Sequence, residues 1–403
     1  MNLTAAPHVP DHVDPALVVD WDYQRDEKLS QDPYARYAEW IAAAPAEVVW
    51  TTANGGHWMI MRNAAIVDAL QSPELFSSKH TAIPPRAGSI KLIPEELDPP
   101  EHTKYRSILN RRLGPKMMKF FDARTRHLAN ALIDAVQTDR EADLMDALTI
   151  PMPCSLFLEM VGLSTDRTRE FVGWKDELFK GGDAERAAAQ AKIVGMLEET
   201  IADKRVNPGE FDLMSFLIHE GRVDDKPISQ EDLMSYGFLF FIAGLDTVTS
   251  LMTSCFAYIA QRPGTQERLL AEPRSIPDFV EEMLRRYSVV NPVRTATQDF
   301  NWRGVRVRKD DQFVCSTVIA DLDPAEFSDP LKVDVERAEN RHLGFGGGPH
   351  RCVGSHLART ELMATLQEVL PRLPNLRIKP GAQLTYTPGS LLGLASLPVA
   401  WDD

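Results

Sequence analysis

The chain has 403 residues, 44% apolar and 25% charged, with a net charge of −14. This is a globular composition with enough apolar side chains for a large core, and its acidity argues against broad binding to nucleic acid or to an anionic membrane. The four cysteines (Cys154, Cys255, Cys315, Cys352) form no C-x-x-C pair, which favours reduced thiols over a disulfide framework.

In chain order, residues 1–32 are acidic and contain proline, and read as an extended arm. The start Met1-Asn-Leu-Thr-Ala-Ala-Pro lacks a basic stretch followed by an apolar one, so no signal peptide is expected. No window of about 18 consecutive apolar residues occurs, so no membrane span is expected. Together these point to a cytoplasmic protein. Asp32-Pro33 opens a short helix carrying Tyr37, Trp40 and Ile41. Segments 47–51 and 57–62 flank Asn54-Gly-Gly, which signals a hairpin. A short helix follows over 64–70, and 76–97, with Pro84, Pro85, Gly88 and Pro94, reads as a long loop of the kind that often carries function.

From Pro99 onward helical periodicity dominates. Helices are expected at 100–112, 117–136, 145–161, 166–180, 184–204, 211–219, 229–261, 264–271 and 276–287. Strands are expected at 294–299 and 300–307, irregular structure over 309–342, a helix over 353–371 and strand-like segments over 380–398. No internal repeat or linker breaks the pattern, so 1–403 is expected to be one domain, mainly α with a minor β portion.

The run Gly344-Phe-Gly-Gly-Gly-Pro-His-Arg-Cys352-Val-Gly354 ends a Gly-rich loop in a cysteine just before a helical pattern. Glycines permit positive φ and close backbone approach. A sulfur near a helix N-terminus meets unpaired N–H groups that favour the thiolate, and such a thiolate suits axial ligation of haem iron. A phosphate-binding loop would need a Lys-Ser/Thr ending that is missing. A zinc site built from His350, Cys352 and His356 would lack a second ligand pair.

Residues 235–250 are apolar nearly all round, as in a buried central helix. Leu239, Ile242, Ala243, Asp246 and Thr247 share one face, which runs from apolar through small to acid and alcohol. A carboxylate inside such a helix is costly unless paired or used; taken alone, a satisfied ion pair explains it as well as a functional role. Glu282-Met-Leu-Arg285 places an acid and an arginine on one helix face, and Asp98-Pro-Pro-Glu-His102-Thr-Lys-Tyr-Arg106 does the same for an imidazole and a guanidinium. Either pair alone would usually be a solvated surface contact.

Jointly these motifs resemble the cytochrome P450 superfamily, from Asp98 to the closing Leu397-Pro-Val-Ala-Trp-Asp. The resemblance is nearest to the soluble bacterial camphor-hydroxylase family, through Gly-Leu-Asp246-Thr247, Ser355-His-Leu-Ala-Arg359 and Pro380-Gly-Ala-Gln383. It implies the P450 fold, with haem b between the long central helix and the cysteine-loop helix. It implies Cys352 as the iron ligand, with Phe345 and Gly346 in its loop, and His102, Arg106, Arg294 and His350 as propionate donors. Thr247 would hold a water or dioxygen, Asp246 would relay protons, and Ala243 and Gly244 would leave room beside the metal. The buried trio Glu282, Arg285 and Arg337 would be structural.

The same resemblance implies a monomeric monooxygenase that uses O2 and electrons from a [2Fe–2S] ferredoxin and its reductase. Arg106, Arg111, Arg112, Lys116, Arg351 and Arg359 would offer the ferredoxin a local basic face. Pocket positions by the same count are Thr81, Ile90, Leu92, Ile93, Leu239, Ile242, Val290, Ser390 and Leu391. Where camphor hydroxylase places a tyrosine hydroxyl on its substrate ketone, this chain has Ile90, so an apolar substrate of terpenoid or norisoprenoid size is expected. A peroxide-driven P450 would favour loss of the acid–alcohol pair that is kept here. A non-catalytic haem sensor or carrier would need a partner domain that is not visible. A helical binding protein without haem is the remaining alternative.

Overall fold

The computed structural model describes residues 9–85, 90–389 and 391–402. Its helices follow the expected series closely, from Glu101–Arg112 and Pro115–Asp134 through Asp183–Val206 and Gln230–Gln261 to Ile276–Arg286 and Ser355–Val369. Buried apolar residues from Val13 to Trp401 join in one core cluster.

Local chemistry explains several boundaries. Pro33–Ala43 begins with Asp32 accepting the Ala35 N–H at 3.0 Å and with proline at the first helical position, an arrangement that satisfies an otherwise free donor and presets φ. Gln230–Gln261 begins with Ser229 accepting from the Asp232 N–H at 3.0 Å. This helix is long and apolar enough to cross a membrane by length and composition, but most of that window is buried inside the protein. Several of its hydroxyls bond the carbonyl one turn back, as in Thr249 to Leu245, Thr253 to Thr249 and Ser254 to Ser250, which satisfies those donors in the core.

The minor β portion is centred on a six-stranded sheet. Val48–Thr51 and His57–Ile60 form the expected hairpin, with Trp50 opposite Trp58. Val18–Val19 adds in parallel at one edge, and Gln312–Val314, Val293–Ala296 and Phe76–Ser77 extend the other side. The sequence did not show three of these strands. Val18–Val19, Phe76–Ser77 and Gln312–Val314 have two or three residues each, too short for alternation to register, and partners distant in sequence specify them. Thr317–Asp321, a five-residue helix capped by Ser316, likewise lies in a stretch expected to be irregular.

Candidate functional site

The cysteine loop is seated by backbone contacts. Cys352 N–H donates to the Phe345 carbonyl at 2.8 Å, and Gly346 N–H to Leu343 at 2.7 Å. Gly348 has φ 64° and packs so tightly on the Leu70 carbonyl that a Cβ there would lie 2.1 Å from the oxygen, so only glycine fits. Gly346 has φ 68° with nothing within 4 Å of an added Cβ; it serves the turn and leaves open space beside it. Cys352 is exposed, whereas Cys154, Cys255 and Cys315 are buried.

The expectation of a favoured thiolate needs correcting for the protein alone. Although Cys352 keeps solvent access, desolvation by the protein around its sulfur raises the thiol pKa, and the Gly354 N–H with the Arg106 and Arg351 guanidiniums pulls it down only in part. The helix starts at Ser355, beyond the sulfur, so the helix terminus does not reach it strongly. A coordinated metal ion removes a thiol proton outright.

On the central helix the stripe singled out above differs from its surroundings. Phe238, Phe240, Phe241 and Leu245 are buried, whereas Leu239, Ile242, Asp246 and Thr247 are partly accessible and Ala243 is exposed. Thr247 Oγ1 donates to the Ala243 carbonyl at 3.1 Å. Asp246 Oδ1 accepts from Lys175 Nζ at 2.8 Å. Lys175 is 9% exposed, and both Asp246 and Asp176 hold its pKa up against burial. Nothing in the sequence marked Lys175, which lies on a separate helix, Thr168–Lys180. Gly244 differs from expectation. A Cβ there would meet the Phe157 ring at 3.0 Å, so its small size serves the packing of two helices and not space beside a cofactor.

His102, Arg106, Arg294 and His350 lie in one neighbourhood. The two imidazoles are 4.2 Å apart between centroids, and all four of their ring nitrogens are buried without a hydrogen-bond partner. Burial, assisted by Arg106 and Arg294, lowers the His102 pKa to about 4 and that of His350 to about 3, so both rings are neutral near pH 7. Arg106 donates to the Arg351 carbonyl and to Asn110; Arg294 is 4% exposed and donates to Val293. Glu95, which the sequence did not single out, approaches His350 Nδ1 at 3.9 Å. Burial raises its pKa against the pull of Arg294 and Arg106.

The profile of the family described as "Cytochrome P450" matches residues 181–385. The chain is 34% identical to a probable cytochrome P450 127A1 of Sinorhizobium fredii, over 98% of this chain and 97% of that one. It belongs to the cytochrome P450 family. It is also 32% identical to the nocardicin C N-oxygenase of Nocardia uniformis subsp. tsuyamanensis, over 94% of this chain and 98% of that protein. The crystal structure of CYP101J2 superposes with a TM-score of 0.91 at 29% identity, covering 98% of this chain and 100% of that one.

The protein is therefore a P450 monooxygenase, and the family carries haem on a cysteine thiolate. The residues present fit that group. Two neutral imidazoles, each with one unpaired N–H to give, and two guanidiniums form a donor set suited to carboxylates, and an exposed thiol stands on a loop with open space beside Gly346. His350, Cys352 and His356 are not among any group of three or more His, Cys, Asp or Glu placed to hold a metal by themselves among the described residues.

The long loop of this P450 is tied to itself. Glu96 accepts from Thr81 Oγ1 at 3.1 Å and from the Leu92 N–H at 2.9 Å, so the Thr81 hydroxyl, expected to line a pocket, is engaged by a carboxylate. Ser235 on the central helix donates to the Lys91 carbonyl. Leu92 and Ile93 are each 8% exposed and Ile90 is partly buried. Val290 forms a β-bridge with Leu391. Ser390 lies outside the described residues.

Of the six cations expected on the docking face, Arg359 turns inward. It forms a two-point ion pair with Glu281, and its guanidinium lies 4.5 Å from the Phe345 ring centroid. Arg112 donates to the Glu210 carbonyl and Lys116 pairs with its carboxylate. Arg111 is exposed, with no carboxylate partner among the described residues.

Proposed function

We propose that this P450 hydroxylates an apolar molecule of terpenoid or norisoprenoid size, with Cys352 as the iron ligand, within one domain spanning 1–403. The accessible stripe on the buried central helix carries the reading. Leu239, Ile242 and Ala243 offer an apolar surface that runs straight into Asp246 and Thr247, so an apolar C–H group and a proton source share one helix face. Leu92, Ile93, Ile90, Val290 and Leu391 add apolar lining, and without a hydroxyl at position 90 the pocket has no donor there for a carbonyl oxygen. The likeness to CYP101J2 supports the camphor-hydroxylase branch. The nocardicin C N-oxygenase, at similar identity, shows why the substrate is argued from lining residues and not from kinship.

Bound haem supplies the reductive activation of dioxygen that puts one oxygen atom into the substrate and releases the other as water. The chain supplies position and protons. His102, Arg106, Arg294 and His350 would hold the propionates. Thr247 keeps a hydroxyl proton at Oγ1, resting on the Ala243 carbonyl. Asp246 passes protons toward it from solvent, and its ion pair with Lys175 holds the carboxylate back until it turns. Electrons come from a [2Fe–2S] ferredoxin docking on Arg111, Arg351 and Lys116, a cytoplasmic partner for a monomeric enzyme. Opposite charge on an acidic ferredoxin would steer that encounter.

A panel of apolar terpenoids should include members that convert the haem from low spin to high spin, read by absorbance. Shifts confined to charged or strongly polar compounds would overturn the substrate class. For Asp246→Asn, product formation should slow by about a hundredfold, a typical loss for a proton-transfer group, with the spin-shift affinity unchanged. Unaltered turnover and coupling would remove Asp246 from the relay.

A further inference from the structure

Away from the cysteine loop, a polar cavity of about 200 Å³ opens where the start of helix Pro33–Ala43 meets the ends of Gln230–Gln261 and Ile276–Arg286. Its lining includes Arg262, Arg286, Tyr34, Tyr287, Tyr386 and Asp32. Arg286 is 9% exposed. It donates one hydrogen bond, from Nε to the Leu331 carbonyl at 2.6 Å, and its Nη1 is buried without a partner. No carboxylate lies within ion-pair distance of Arg286 or of Arg262 among the described residues. Arg286 stacks 5.0 Å from the Tyr34 centroid and 4.7 Å from that of Tyr287, and Arg262 lies 4.2 Å from that of Tyr258.

A buried guanidinium without a counter-charge is costly, and aromatic stacking offsets only part of the cost. The hydroxyls of Tyr34, Tyr287 and Tyr386 likewise have no hydrogen-bond partner among the described residues. Burial raises all three phenol pKa values, so the hydroxyls remain protonated donors. The only acid in the lining is Asp32, whose Oδ1 already accepts the Ala35 N–H. The lining therefore has two fixed positive charges, one negative charge and a surplus of donors.

We propose that this cavity binds one small oxyanion, of the carboxylate or phosphate class, between the guanidiniums of Arg286 and Arg262 with the tyrosine hydroxyls as further donors. Guanidinium forks and O–H donors match such oxygens in geometry and charge. The site is separate from the propionate donors, since none of His102, Arg106, Arg294 and His350 lines it. It stands beside the segment that leads from Tyr287 to Val290, where Val289 and Val290 meet Leu392 and Leu391. An anion there would brace the back of the proposed substrate lining.

The test uses haem-loaded protein, in which the propionate donors are already engaged. Its thermal midpoint is followed against sodium phosphate, sodium succinate and sodium chloride at matched ionic strength. A saturable rise with phosphate or succinate beyond that with chloride is expected, and whichever anion acts assigns the class. Arg262→Ala and Tyr386→Phe should each weaken the apparent affinity, Arg262→Ala by about tenfold. Asp32→Asn, which keeps the helix cap, should tighten it, a direction that loss of folding cannot produce. Chloride matching both anions, or variants with the wild-type midpoint concentration, would overturn the proposal. Neither outcome depends on monooxygenase activity.

Discussion

Cys352→Ala is expected to yield a folded protein whose reduced carbon monoxide complex lacks the red-shifted Soret band of thiolate-ligated haem, with monooxygenase turnover abolished. The loop should survive the change. Its seating rests on the Cys352 N–H to Phe345 carbonyl bond and on Gly348 against Leu70, and neither uses the sulfur. An exposed side chain contributes little packing, so the cost in stability of the haem-free fold should stay within ~0.5 kcal/mol. The remaining cysteines cannot substitute. All three are buried, and desolvation pushes Cys154 and Cys315 to about 12 and Cys255 higher still, so their thiols stay protonated and inert. Cys255→Ala, in the same preparation, should retain the band. A band that persists in Cys352→Ala would refute the ligand assignment whatever the activity.

The parts of this fold that were legible in advance are those in which periodicity and chemistry coincide. The central helix showed itself through a face running from apolar to acid and alcohol, and the structure leaves that same stripe accessible while burying Phe238, Phe240, Phe241 and Leu245 beside it. His102 and His350 are 248 positions apart in sequence, yet their motifs marked both, and the structure brings their rings to 4.2 Å between centroids, tilted by 46°. What escaped was set by contact between distant segments. Lys175 carries no local pattern, and only folding places it 2.8 Å from Asp246. Glu95 looked like one more loop acid until its approach to His350 was seen. Gly244 and Arg359 show the reverse error. Each lies inside a motif that suggests a role at the cofactor or partner, but Phe157 claims the space beside one, and Glu281 with Phe345 turns the other inward. A motif names residue types; which neighbour each one meets is decided by packing.

Glu282→Ala should destabilise the fold by about 3–5 kcal/mol, the usual consequence of stripping one partner from a buried ion pair. Glu282 is 1% exposed and Arg285 wholly buried. The carboxylate accepts from Arg285 Nε at 2.9 Å and Nη2 at 2.7 Å, from Arg337 Nε and Asn340 Nδ2 at 3.2 Å, and from the Asp334 N–H at 2.9 Å. Arg285 in turn donates to the carbonyls of Asp321, Pro330 and Lys332. Removing Glu282 thus strands two guanidiniums and frees the segment 330–340 that leads into the cysteine loop. Against a typical total of about 5–15 kcal/mol, little holoprotein should accumulate, and urea unfolding followed by circular dichroism should show a much lower midpoint. The neighbouring Glu281→Ala is the control. Glu281 faces Arg359 and His342, which hold its pKa near 2 against the opposing effect of burial, but a third of its side chain is exposed and solvent screens the pair. Its contribution is present above the ordinary carboxylate pKa and fades as pH falls toward 2. At pH 7 its loss should therefore cost clearly less than that of Glu282. Equal midpoints for the two variants, or a Glu282→Ala loss below about 1 kcal/mol, would show that burial of the network adds nothing beyond what a surface ion pair adds.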